Sequence, residues 1–71
     1  MNTIMLGTYL HYKTQNRYEV TGFATHTENL EEMVIYKALY GDKKVWCRPL
    51  SMFVSDVEVD GKTVKRFEYE G

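Results

Sequence analysis

The sequence predicts an all-β domain, a small and strongly bent antiparallel barrel of five to six strands. Three observations lead to this prediction. Apolar and polar residues alternate at the two-residue period of a half-buried strand, most clearly from Arg17 to Thr27. Glycine and proline separate short apolar segments, as is typical of turns between strands. Six tyrosines, three phenylalanines and one tryptophan supply large side chains of the kind that small sheets and binding surfaces use.

Seventy-one residues suffice for one domain with a marginal core. We expect residues 1–6 to form an N-terminal extension and residues 7–71 to form a single small β domain. The net charge of −1 creates no overall field that would attract nucleic acid or an anionic membrane, although a local basic patch is compatible with it. No signal peptide or membrane-spanning apolar run is present, and the single cysteine excludes an intramolecular disulfide, so we expect a cytoplasmic protein.

The first half of the chain predicts two strands, at residues 8–13 and 17–27, joined by a turn at residues 14–16. In the second strand we expect the even positions to face the core: Tyr18, Val20, Gly22, Ala24 and His26. The glycine in the middle of this strand predicts a β-bulge or a sharp bend.

The next segment, residues 30–39, fits two structures. Asn29 and Glu32 can begin a helix that Gly41 ends. The density of β-branched and aromatic residues favours a strand instead, with four residues on one face: Val34, Tyr36, Ala38 and Tyr40. We favour the strand because the preceding segment is a strand at hairpin distance, which makes "TENLEE" a polar loop with solvated acidic side chains.

The last third predicts a short strand, "VWCR", a helical element and a hairpin. Pro49 ends the strand and begins a single 3₁₀ or helical turn, where its missing N–H costs nothing. Asp60-Gly61 supplies the two positive-φ residues of a type I′ turn, which places Asp56 opposite Lys65. These elements together fit a Src-homology-3-like barrel, a shape that leaves no exposed sheet edge.

Short motifs spread along the chain carry a resemblance to a known family. They are "HYK" at 11–13, "YEV" at 18–20, "HTE" at 26–28, "LYG" at 39–41, "RP" at 48–49 and "RF" at 66–67. In this order the chain resembles the bacterial proteins of the domain of unknown function 1653 (DUF1653) family, from about Gly7 to Phe67. The resemblance implies a compact all-β bacterial domain and no particular chemistry. Cys47 stands where valine is common in the family, which implies that it is a small core residue.

The histidines are candidate ligand-binding residues. His26 lies at a strand end, where Glu28 could orient its imidazole towards an anionic or hydroxyl-bearing ligand. The structural alternative is that both residues satisfy the backbone of the turn. His11 is the second candidate, and its structural alternative is a half-exposed position in the sheet.

Trp46 and Arg48 form the other candidate, because they share one strand face. Tyr12, Tyr36 and Tyr40 could lie near them and form an aromatic floor with a guanidinium beside it, able to stack a base or bind a phosphate or carboxylate. In the structural alternative Trp46 is the plug of the core, and Arg48 pairs with an acidic residue of the 28–32 loop.

Enzymatic and metal sites find less support. Two histidines fifteen residues apart, Glu28 and Cys47 make a poor set of metal ligands, so we expect no metal and no cofactor. A core cysteine without a neighbouring base is not a nucleophile. No catalytic triad order, phosphate-binding glycine loop or deaminase signature is present.

The sequence therefore favours a non-enzymatic binding module that engages a protein segment, a nucleotide or single-stranded nucleic acid, and no membrane. The ligand-binding residues of this interpretation are His11, His26, Glu28, Tyr36, Trp46 and Arg48. Two alternatives remain open. One is a small ligand sensor or enzyme that uses His26, Glu28 and Arg48. The other is a homo-oligomer, in its simplest form a homodimer, that buries the aromatic surface.

Overall fold

A computed structural model of the protein describes residues 4–71, so the first three residues of the expected N-terminal extension lie outside the described residues. Seven strands and one short helix follow along this range: β1 (Gly7–His11), β2 (Arg17–Thr25), β3 (Glu32–Ala38), β4 (Val45–Pro49), α1 (Leu50–Phe53), β5 (Asp56–Val59), β6 (Lys62–Lys65) and β7 (Phe67–Tyr69). The predicted all-β class is confirmed.

Five strands form one strongly bent antiparallel sheet in the order β4-β3-β2-β1-β7, and β5 with β6 forms a separate hairpin. Within the described range β4 and β7 are the two edges of the large sheet and do not pair with each other. The closed barrel that the sequence analysis expected is therefore not formed. No helix in this range is long and apolar enough to cross a membrane.

β2 contains the predicted bulge. Its pairing with β3 moves from Val20 opposite Tyr36 to Gly22 opposite Ile35, which leaves Thr21 as the extra residue. One extra residue turns every later side chain to the opposite face of the sheet. Val20 is accordingly buried and Phe23 packs against the core, whereas Ala24 is exposed. The prediction that the even positions continue to face the core is therefore wrong beyond the bulge.

The ambiguous segment is a strand. Its inward residues Val34, Tyr36 and Ala38 are buried as predicted, whereas Tyr40 lies beyond the end of β3 and is exposed. The polar loop before it is closed by two backbone hydrogen bonds, in which the His26 N–H donates to the Glu31 carbonyl and the Leu30 N–H donates to the His26 carbonyl. A cluster of β-branched and aromatic residues thus prevails over the helix-start signal at Asn29.

The last elements follow the prediction except at one point. Asp60 and Gly61 both have positive φ, at 52° and 78°, and Asp56 lies opposite Lys65 as expected, although the two side chains form no ion pair. The element that the sequence analysis missed is β7, which pairs along β1. A three-residue strand whose partner lies near the start of the chain leaves no local signal.

The core lies on the inner face of the bent sheet and is dominated by aromatic rings. Its buried residues are Tyr9, Val20, Val34, Tyr36, Phe53 and Phe67. Phe53, from the helical turn predicted after Pro49, stacks on Phe67 with ring centroids 4.1 Å apart and planes 1° from parallel. The plug of the core is therefore Phe53 and not Trp46.

Candidate functional site

The side chains of Trp46 and Arg48, both in β4, lie on the inner face of the sheet, because these residues pair with the buried Tyr36 and Val34 of β3. β4 is an edge strand, so nothing described covers its far side. Trp46 remains 49% exposed for this reason. Its outer-face neighbour Cys47 is exposed as well, so the prediction of a small core cysteine is wrong.

Trp46 borders a small cavity of about 100 Å³ at the turn that follows β3. The exposed Tyr40 also borders this cavity, as do three charged residues of the turn, Asp42, Lys43 and Lys44. An exposed indole beside positive charge is a suitable surface for stacking a planar anionic group.

Arg48 is half-buried, and the central carbon of its guanidinium lies 5.6 Å from the centroid of the Phe67 ring. Glu32 lies diagonally across β3 from it, two residues beyond Val34. Arg48 nevertheless forms no ion pair and donates no hydrogen bond to any residue between Ile4 and Gly71, so the predicted pairing with an acid of the 28–32 loop is not formed. The Arg48 guanidinium therefore presents five N–H donors in one plane, and none of them has an acceptor among the described residues.

Two tyrosine hydroxyls lie in the same region. The Tyr18 and Tyr40 oxygens are 2.8 Å apart, which fixes Tyr40 over the inner face. Burial and this hydrogen bond raise the pKa of Tyr18 to about 12, while the nearby Arg48 charge acts in the opposite direction. The Tyr18 hydroxyl is therefore neutral near pH 7. One of the two hydroxyls donates to the other, so the O–H of the accepting tyrosine remains available to donate to a ligand.

His11 completes the group at the end of β1. Its ring packs edge-on against Phe67, with centroids 5.0 Å apart, and its Nδ1 accepts the backbone N–H of Lys13 at 3.2 Å. Burial lowers the pKa of His11, and the positive charges of Arg48, Arg66 and Lys13 lower it further. We call His11, Tyr18, Tyr40, Trp46 and Arg48 the aromatic–arginine face.

The lowered pKa of His11 predicts a pH dependence of stability. The unfolded chain binds a proton at the ordinary histidine pKa of 6.5, above the folded value, so the free energy of unfolding should fall as pH drops below about 6.5. His11→Gln should flatten this dependence in urea titrations between pH 5 and 8, a range set by the ordinary histidine pKa. His26→Gln, in the β2–β3 loop, is the matched control, and equal flattening by both variants would contradict the assignment.

The other predicted site residues lie elsewhere. Tyr36 is only 5% exposed, so it supports the aromatic–arginine face from within the core. His26 and Glu28 lie in the β2–β3 loop, where the Glu28 N–H donates to His26 Nδ1 at 3.2 Å. This is the turn-forming role that the sequence analysis held as the alternative. Within residues 4–71 no hydrogen bond or ion pair joins either residue to Arg48, and no three histidine, cysteine or acidic side chains come together in a cluster that could hold a metal ion.

Sequence reasoning missed Tyr18 as a member of the site. It was assigned to the core face of β2, and that assignment is correct for its ring. Its hydroxyl lies at the surface, where it forms a hydrogen bond with the hydroxyl of Tyr40, a residue beyond the end of β3. The signal available in the sequence was the set of tyrosines on neighbouring strands, but whether two of their hydroxyls come within hydrogen-bond distance depends on the strand register.

Comparison with known proteins places the chain beside proteins whose function is also unknown. The family model described as "Protein of unknown function (DUF1653)" matches residues 7–69. A crystal structure of a DUF1653 protein from Bordetella bronchiseptica is similar, with a TM-score of 0.86 and 30% sequence identity over 97% of this chain and 90% of the other. No curated protein matches the chain.

Proposed function

Since this chain belongs to the DUF1653 family of proteins of unknown function, we propose that it is a non-enzymatic binding module of the bacterial cytoplasm, with residues 7–71 as the binding domain. The aromatic–arginine face binds a ligand that joins a planar ring to an anionic group. Among the partners compatible with the sequence, a nucleotide or single-stranded nucleic acid fits this chemistry better than a protein segment.

The unpaired guanidinium of Arg48 beside the exposed indole of Trp46 is the observation that carries the proposal. A half-buried guanidinium without an acceptor gives up part of its hydration, and a phosphate restores the lost hydrogen bonds in a bidentate geometry. Trp46 then offers its ring to a base, an interaction that contributes about 1–3 kcal/mol per base.

The charges around the face support an anionic ligand in spite of the overall charge of −1. Lys43 and Lys44 border the cavity beside Trp46, and Arg66 and Lys13 act on His11 at the other end. Two acidic residues of the paired strands, Glu19 and Glu68, lie on the outer face of the sheet, opposite Lys37 and Leu10. Asp42 borders the same cavity, so the charged residues beside Trp46 sum to +1.

Trp46 provides the test, because it is the only tryptophan and its fluorescence reports stacking directly. We expect a short oligothymidylate and a mononucleotide to quench this fluorescence in a saturable manner. Arg48→Ala should weaken binding by roughly 10- to 100-fold, the equivalent of a charged hydrogen bond. It should leave the fold nearly intact, since the lost cation–π contact contributes only about 0.5–1 kcal/mol.

Arg17→Ala is the matched control. Arg17 is an exposed arginine whose position opposite Leu10 places it on the outer face, where it pairs with Glu70 at 2.7 Å. The Arg17→Ala variant should bind the oligonucleotide as the native protein does. A large drop in melting temperature for Arg48→Ala in the free protein would show that Arg48 is structural, and absence of quenching by all nucleotides would refute the proposal.

A second candidate is a homo-oligomer that buries the same surface. It is favoured by the open edge of β4, where Val45 is 64% exposed next to Trp46. Unpaired strand edges invite pairing with another chain. In that case Trp46 fluorescence should shift with protein concentration without nucleic acid, and sedimentation equilibrium should show a dimer that Trp46→Lys dissociates.

A further inference from the structure

A cavity of about 330 Å³ lies beside the stack of Phe53 on Phe67, outside the aromatic–arginine face. Four rings form much of its wall: Tyr9, Phe53, Phe67 and Tyr69. Three of the contributing elements, β1, α1 and β7, are far apart in the chain, so the cavity is a product of the tertiary fold. Its volume falls at the small end of the range that ligand-binding cavities span.

The segment before β1 closes one side of this cavity. Ile4 and Met5 contribute to the wall, and Ile4 packs against the core. Tyr9 holds the segment by its hydroxyl, which accepts the Met5 N–H at 3.2 Å and donates to the Met5 carbonyl at 2.6 Å. Both bonds attach to backbone, so this arrangement depends on Tyr9 and not on the side chain at position 5.

Lys65 is the one charged residue that the described part of the chain contributes to the wall. Asp56 lies opposite it in the β5–β6 hairpin, yet the two form no ion pair, and Lys65 pairs with no other carboxylate among residues 4–71. A free ammonium at the rim of an apolar, ring-lined cavity matches a ligand that has an apolar ring and one negative charge.

We propose that this cavity is a second binding site, for a small aromatic acid with one or two rings and a carboxylate or sulfonate group. The rings of the ligand pack edge-on or offset against Tyr69, which is 41% exposed, and against the accessible edges of Tyr9 and Phe67. The acidic group pairs with Lys65. The site is independent of the aromatic–arginine face and of the function proposed for it.

The test uses the full-length protein and 8-anilinonaphthalene-1-sulfonate, whose fluorescence rises in apolar surroundings, with 2-naphthoate as a competitor. We expect saturable binding that 2-naphthoate displaces and 2-naphthalenemethanol, its uncharged counterpart, displaces less. Lys65→Met should weaken binding about two- to fivefold, as expected for a partly exposed ion pair. Lys62→Met is the matched control, because Lys62 lies on the same strand and does not border the cavity.

Val54→Phe tests the location, since Val54 borders the cavity and is partly exposed. The larger side chain should abolish probe binding while circular dichroism shows an intact fold. Equal effects of the two lysine variants, or unchanged binding in Val54→Phe, would overturn the proposal. A fall in probe fluorescence per protein molecule as the protein concentration rises would overturn the proposal too, because a second copy of the chain would then occupy the cavity.

Discussion

Phe53→Ala is expected to cost about 3–5 kcal/mol of unfolding free energy, the range for removing a buried phenylalanine ring. Phe53 is 1% exposed and packs against the rings of Tyr9, Tyr36 and Phe67, with centroids 5.3, 5.4 and 4.1 Å away. In a domain of this size such a loss lowers the melting temperature by roughly 12–40 °C, which thermal denaturation followed by circular dichroism would measure.

Met52→Ala is the control for this prediction. Met52 precedes Phe53 in the same helical turn but is 49% exposed, so its removal should change the unfolding free energy by less than about 1 kcal/mol. Similar melting temperatures for the two variants would mean that α1 contributes nothing specific to the core. The large sheet would then be stable without the Phe53 ring in its core.

Gly7→Ala is the second substitution for which we expect a large effect. Gly7 begins β1 with φ of +136°, a region that residues with a side chain rarely adopt. A Cβ there would lie 3.0 Å from Cε1 of Tyr69 and 3.3 Å from the backbone carbon of Gly71, so the Tyr69 ring and the last residue would have to move by a few tenths of an ångström. We expect a loss of about 1–3 kcal/mol from backbone strain alone, visible as a lower urea midpoint.

Gly22→Ala is the matched control on the neighbouring strand. A Cβ at Gly22 meets no atom of residues 4–71 within 4 Å, and the φ of Gly22 is not positive, so neither strain nor collision is expected. The substitution should be neutral or stabilise the protein by about 0.4–1 kcal/mol, because alanine restricts the unfolded chain. A loss equal to that of Gly7→Ala would show that the bulge itself requires glycine.

Part of the geometry of the candidate site was within reach of sequence reasoning, and the limits of that reasoning have physical causes. The alternation in β4 placed Trp46 and Arg48 on one face, and the structure bears this out. Pairing of the strands brings His11 into the same region, through Phe67 of β7, a strand that the local pattern did not indicate. His26 does not join them, because the bulge in β2 changes the alternation before the chain reaches it.

The sequence by itself determined strands β1 to β6, the bulge, the helical turn after Pro49 and the type I′ hairpin, because these depend on residues close together in the chain. A two-residue period separates two faces of a strand, and glycine, proline and Asp-Gly determine where the chain turns. Only the tertiary structure decided which strands lie at the edges of the sheet, which ring fills the core, and which side chains remain exposed. Those outcomes depend on contacts between distant segments, such as β7 with β1 and Phe53 with Phe67. For this reason Trp46 and Cys47 are exposed, and Arg48 has no acidic partner within the range that the structure describes.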